Sequence, residues 1–274
     1  MTFDIEEWYT YKHTKQNKTS YYLPILERYL DSVLDTLDEN CFKATFFCLG
    51  IIAREYPHII EKIDNRGHEV ACHSDLHKLV TQFNKKDFFN DTKIAKESLE
   101  KITQKKVKYY RAPAFSITPN SKWALEVLKD LEFECDCSIF SAKRRYGGFK
   151  DLKAHNPCLL ELESGESILE LPINYIEVFN KRIIYSGGGY FRVMPYNIIK
   201  KMLSQKDRYN MTYFHLRDFD IHQKKEINMS YFMNYSGING AYEKFEKMIK
   251  ENEFVDVSSA IDQINIDEII KIKI

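Results

Sequence analysis

Ala44-Thr45-Phe46-Phe47-Cys48-Leu49-Gly50 and His68-Glu69-Val70-Ala71-Cys72-His73 are two short apolar runs on either side of an amphipathic stretch, Ile51–Ile63. A continuous apolar run of strand length, stopped by glycine, is the pattern of a β-strand covered on both faces. The middle stretch reads as one helix ended by Arg66-Gly67. Strand, helix and strand in that order join as a right-handed crossover with the two strands parallel. The same rhythm extends outward. Upstream, Met1–Ile5 reads as a strand, and Tyr22–Leu37 as a helix with apolar residues at Leu26, Tyr29, Leu30, Val33, Leu34 and Leu37. Downstream, Lys86–Ile102 reads as a helix, Val107–Tyr110 as a strand, Asn120–Leu131 as a helix capped by Asn120, and Glu134–Cys137 as a strand. Ile168–Ile173 and Met211–His215 follow as strands, Pro195–Leu203 and Tyr242–Lys250 as helices, and Phe254–Val257 as a last strand. Seven or eight such units predict an α/β chain folded as an irregular barrel with the helices outside.

Composition narrows the function classes. The 274 residues carry 40 basic and 40 acidic side chains, so the formal net charge is zero, and 44% are hydrophobic. That is globular composition, and the zero net charge argues against nucleic-acid binding through a strong basic face. No run of about 18 apolar residues predicts a membrane span. The opening Met1-Thr2-Phe3-Asp4-Ile5-Glu6-Glu7 lacks the basic start of a signal peptide, and the six cysteines form no C-x-x-C pair. A cytoplasmic, reduced protein is therefore expected, with Cys135 and Cys137 as buried small hydrophobes. Three polar segments, Trp8–Tyr21, Lys143–Lys153 and Asp218–Gly237, lie beyond strand ends, where such folds build their sites.

Ionisable residues gather at the same ends. Asp4 and Glu6 are two apart on the first strand and share a face, whereas Glu7 points away if the strand continues. Two carboxylates on one face favour uptake of a cation or a proton. His73 and His77, in His73-Ser74-Asp75-Leu76-His77, are four apart; a helical turn there puts their rings on one side, suited to one metal ion. Arg111 follows a strand in Arg111-Ala112-Pro113-Ala114-Phe115, with Pro113 stiffening the turn and Phe115 available as a pocket wall. Asp136 and His215 end later strands. No G-x-S-x-G elbow occurs, which disfavours a serine nucleophile, and Gly187–Gly189 completes no phosphate loop.

Taken together, these segments resemble the polysaccharide deacetylases, the NodB-homology group of carbohydrate esterases. Thr2–Trp8 is similar to the first motif of that family, in a D-x-E-[DE]-W form; His73–His77, Arg111–Phe115, Asp136-Cys137-Ser138 and Tyr213-Phe214-His215 follow in family order. Gly187-Gly188-Gly189-Tyr190-Phe191-Arg192 and Asn234-Tyr235-Ser236-Gly237 add subgroup resemblance. The resemblance implies a single catalytic domain over residues 1–274, folded as a distorted (β/α)7 barrel. It implies a divalent metal held by His73, His77 and Glu6, with Glu7 as the alternative carboxylate. The metal would be Zn²⁺ in the first place, with Co²⁺, Ni²⁺ or Mn²⁺ as alternatives. It further implies Asp4 as catalytic base held by Arg111, His215 as general acid oriented by Asp136, and Trp8, Phe115 and Tyr190 against the sugar. The reaction implied is removal of an N-acetyl group from an amino sugar in a polysaccharide or glycan precursor. An amidase or deformylase acting on another small amide, and a carbohydrate-binding relative without catalysis, are the rival readings. Two departures stand out: Cys137 replaces a hydroxyl residue, and Phe214-His215-Leu216-Arg217-Asp218 replaces the subgroup's His-Pro-Trp-Glu ending. Oligomeric state is not legible.

Overall fold

A computed structural model describes residues 1–6, 19–142, 146–150, 152, 154–179, 181–204, 209–223 and 235–274. Strand β1 (Thr2–Ile5) is followed by helix α1 (Thr19–Glu39), whose Leu26, Leu30, Val33, Leu34 and Leu37 are buried at the predicted helical spacing. Next come β2 (Thr45–Cys48) and two short helices, α2 (Gly50–Glu55) and α3 (Pro57–Asn65), in place of the single helix expected over Ile51–Ile63. Pro57 is the reason. It cannot donate a backbone hydrogen bond and it excludes Tyr56 from helical geometry, so Tyr56 turns (φ −136°, ψ 58°) and Pro57 opens the next helix. Then follow β3 (Glu69–Cys72), α4 (Lys85–Thr103), β4 (Tyr109–Tyr110), α5 (Trp123–Asp130) and β5 (Cys135–Asp136).

Beyond residue 136 the prediction and the structure part company more often. A hairpin of β6 (Cys158–Glu161) and β7 (Ser167–Glu170) and a second hairpin of β8 (Ile176–Val178) and β9 (Lys181–Ile183) precede α6 (Gly188–Val193) and α7 (Tyr196–Leu203). Strand β10 (Phe214–His215) and α8 (Ala241–Glu251) lie where they were expected. The expected strand at Phe254–Val257 is instead the entry to α9 (Val257–Asp262), because the Asp256 side chain accepts the Ser259 N–H and caps a helix. Strand β11 (Ile270–Lys273) ends the chain order. No described helix is long and apolar enough to cross a membrane.

The strands form one mostly parallel sheet in the order β10-β1-β2-β3-β4-β5-β7-β6-β11, in which only the β6–β7 pairing is antiparallel. Seven of these strands, β10 through β7, run parallel, matching the expected count of units. Closure into a barrel, however, is not found among the described residues. A single bridge, Gly187 to Tyr213, extends past the edge at β10, and a bridge from Phe140 to Ile173 continues the β5–β7 pairing. Between them a side chain stands in for the ladder: the Asn174 amide donates to the Tyr209 carbonyl (2.7 Å) and accepts from the Met211 N–H (2.6 Å).

Strand periodicity sorts the core into two clusters. Phe3, Ile5, Phe46, Cys48, Cys72 and Tyr110 pack toward the helices. Phe47, Ala71, Tyr109, Cys135 and Cys137 pack on the inner face with Phe115 and Tyr213. Cys135 and Cys137 are buried free thiols, as expected.

Candidate active site

Asp4 pairs in register with Phe47 on one side and with His215 on the other, so it lies on the inner face at the end of β1. Two residues on, Glu6 clears the strand and keeps the same side, as parity predicts. The histidines reach it by a different route from the one expected. His73–His77 is a loop, not a helical turn; Ser74 and His77 are left-handed (φ 71° and 57°), and the Ser74 hydroxyl accepts the His77 N–H at 3.1 Å. This folded loop brings the two ring centroids to 5.3 Å. His77 Nε2 lies 2.5 Å and His73 Nε2 3.5 Å from Glu6 Oε2. The donor atoms of Glu6, His73 and His77 fall within 4.8 Å of one another. His73 Nδ1–H donates to the Arg111 carbonyl at 2.8 Å, which turns Nε2 into the cluster. Two imidazole nitrogens and one carboxylate oxygen, buried and convergent, fit a divalent metal of the zinc type. Glu7 lies outside the described residues.

Arg111 is fully buried and its guanidinium lies 4.0 Å above the Phe47 ring. Its Nη1 donates to Asp4 Oδ1 (2.7 Å) and to Thr2 Oγ1 (2.8 Å), and Nε donates to the Cys137 carbonyl (3.3 Å). Asp4 is therefore fixed through one oxygen. Its other oxygen, Oδ2, lies 3.8 Å from His215 Nε2.

His215 donates through Nδ1–H to Asp218 Oδ2 at 3.1 Å, and Asp218 also accepts the His215 backbone N–H at 3.0 Å. Asp218 is flanked by the Arg192 guanidinium at 3.3 Å. Burial opposes charge on Asp218, but the His215 bond and the cations His215, Arg192 and Arg217 outweigh it and hold the carboxyl at about 2. Burial and Arg217 depress the His215 pKa, yet Glu6 and Asp218 prevail and it is raised above the ordinary value. Glu6 behaves likewise: burial raises it, while His77, His215, Arg217 and the His73 bond hold it well below the usual carboxylate range.

Asp136, expected to orient His215, does not. It pairs in register with Tyr110 and Glu170, on the helix-facing side of the sheet, whereas Asp4 and His215 lie on the inner side. Its Oδ1 accepts the Ser138 hydroxyl at 2.5 Å, and its other partner is the Glu170 carboxyl. The parity argument that paired Asp4 with Glu6 excludes Asp136 just as well. Asp218, Arg217 and Arg192 were not assigned. The signal for Asp218 was an acid three residues after His215, the spacing at which a side chain can bond back to the start of a turn. Among the expected sugar contacts, Tyr190 is 38% exposed on α6. Phe115 is 7% exposed and stacks edge-on against Tyr213 at 5.1 Å, beneath Arg111. Trp8 lies outside the described residues.

Residues 2–135 match the polysaccharide deacetylase family, and residues 137–262 match a domain of unknown function, DUF3473. Residues 2–135 are a polysaccharide deacetylase domain. Over 104 residues, 38% of its length, the chain is 34% identical to a peptidoglycan-N-acetylglucosamine deacetylase of Bacillus cereus. Over 82 residues, 30% of its length, it is 32% identical to a chitooligosaccharide deacetylase of Sinorhizobium fredii. The chain spans only 38% of the length of each of these two relatives. The fold is shared much more widely. A provisionally named polysaccharide deacetylase from Mycobacterium smegmatis superposes with a TM-score of 0.68 at 17% identity, covering 98% of this chain and 90% of that one. The deacetylase domain supplies Asp4, Glu6, His73, His77 and Arg111; His215, Arg217 and Asp218 come from the DUF3473 segment.

Proposed function

We propose that this chain is a metal-dependent N-deacetylase acting on an acetylated amino sugar, with residues 1–274 working as one catalytic unit. The observation that carries the reading is the convergence of Glu6, His73 and His77 between an Asp4–Arg111 pair and a His215–Asp218 pair. His73, His77 and Glu6 would hold a divalent cation, Zn²⁺ first by its preference for nitrogen and carboxylate donors. When bound, it supplies Lewis-acid polarisation of the amide carbonyl and acidifies water.

The chain's own residues do the rest. Asp4 takes a proton from the attacking water, and Arg111 keeps that carboxylate in place through Oδ1 so that Oδ2 faces the reaction. His215 delivers a proton from Nε2 to the departing amine, and Asp218 keeps Nδ1 protonated so that the ring can act as an acid at neutral pH. The relatives named as deacetylases of peptidoglycan N-acetylglucosamine and chitooligosaccharides support an amino sugar as substrate. The six free thiols accord with a reducing compartment, so the reading extends to a cytoplasmic glycan precursor.

Acetate release tests it. Zn²⁺-loaded protein should release acetate from N-acetylglucosamine oligomers or nucleotide-linked N-acetyl sugars, and chelation should abolish the release. His73→Ala should lose metal and activity together. Retention of stoichiometric metal in both His73→Ala and His77→Ala would overturn the metal assignment.

A further inference from the structure

Glu6 meets different partners on its two oxygens. Oε2 faces His77 and His73 at 2.5 and 3.5 Å. Oε1 faces Arg217 Nη1 at 3.1 Å and His215 Nε2 at 3.6 Å. The final torsion of a glutamate is broad and two-fold, so nothing covalent decides which oxygen turns toward the histidines. The neighbours must decide it. Arg217 is suited to do so: it is always charged, presents a planar fork, and reaches the buried carboxylate from the rim with its own side chain 22% exposed. Its backbone is held as well. Arg217 lies in the one-turn segment Leu216–Asp218, in which Asp218 accepts the His215 N–H and Gln223 Nε2 donates to the Arg217 carbonyl.

We propose that Arg217 is a positioning residue for Glu6: by engaging Oε1 it reserves Oε2 as the one oxygen that Glu6 offers to a cation held with His73 and His77. This rests on the metal-site reading above. Two effects of Arg217 on a divalent cation oppose each other. Its charge repels the cation, while its ion pair with Oε1 orients the ligand. Glu6 is nearly sealed from water and Arg217 makes a close contact to it, so orientation prevails, and partners of this kind change metal affinity by ~10–100-fold.

The test is Zn²⁺ affinity of the full chain, measured by competition with a chromophoric chelator, together with the visible spectrum of the Co²⁺-loaded protein. Arg217→Ala should bind Zn²⁺ at least ~10-fold more weakly, and its Co²⁺ bands should change shape and intensity as Glu6 reorients. An affinity equal to or tighter than that of the unmodified protein would overturn the proposal, and so would weaker binding with an unchanged Co²⁺ spectrum. Should Arg217→Ala not fold, Arg217→Gln, which keeps bulk and removes the charge, is read by the same two criteria. His73→Ala separates the two readings. Metal retained there defeats the metal site itself, whereas metal lost there but unaffected in Arg217→Ala defeats only the role of Arg217.

Discussion

His215 is engaged on both sides of its ring, and the two sides do different work. Nδ1 is committed to Asp218, and Nε2 looks onto Asp4 and Glu6 at 3.8 and 3.6 Å. In the proposed role of general acid, His215 works only while protonated, so turnover should fall as pH rises through its pKa. Asp218 contributes both a hydrogen bond and a charge that raise that pKa. Asp218→Asn removes the charge, so the His215 pKa falls and the alkaline limb of the kcat profile should move to lower pH. Asp136→Asn, on the other face of the sheet, should leave that limb where it is. Profiles of the two variants side by side decide the matter; a shift in Asp136→Asn alone would reverse the assignment. Residues that act through neighbours in sequence were the legible ones. His73 and His77 announce themselves by spacing, and Glu6 by parity with Asp4. Arg217 and Arg192 act across the fold, on Glu6 and on Asp218, and the stretches that contain them say nothing of those distant partners.

At the scale of elements, β10 is the piece that carries His215, and it is short. Its outer neighbour is the turn at Gly187, where a Cβ would stand 1.9 Å from the Tyr213 carbonyl oxygen. The Gly188 N–H donates to that same oxygen at 3.0 Å. Gly187→Ala must therefore push Tyr213 away and with it the strand carrying His215. Overpacking of this order costs ~1–3 kcal/mol. The urea midpoint should drop accordingly, and acetate release should fall further than the lost stability explains, with Zn²⁺ binding by Glu6, His73 and His77 retained. A variant with the original midpoint would show that the turn has room to spare. The elements read correctly from sequence are the long periodic ones, α1 and α4, and the apolar strands β1 to β3. Those missed, β6, β8, β9 and β11, are short, and β8 and β11 are largely exposed. Without a buried face they carry no periodic signal. At Phe254–Val257 the cap at Asp256 mattered more than the apolar residues beside it.

For the molecule as a whole, Asp136 and Glu170 put two fully buried carboxyls side by side across β5 and β7. Burial, with the Asp136 charge added, pushes Glu170 well above the ordinary carboxyl range, and burial raises Asp136 too. The folded chain thus holds a proton that the unfolded chain gives up. Stability from this pair is fully present below the ordinary glutamate pKa and is lost as pH rises through the folded value. Glu170→Gln supplies a permanent donor in its place. It should flatten the decline of the melting temperature as pH rises above the ordinary glutamate pKa, with the largest gain at the alkaline end. Parallel slopes for the two proteins would disprove the shared proton. The sheet has a further consequence, in the order of its making. Strand β1 lies between β2 and β10, and Asp4 meets His215 about 210 residues later in the chain. On a ribosome adding ~5–20 residues per second, β1 must wait on the order of ten to forty seconds with one edge open. Nascent chains stalled before residue 214 should therefore be the aggregation-prone species. The cell must shelter this edge until the strand that carries His215 arrives.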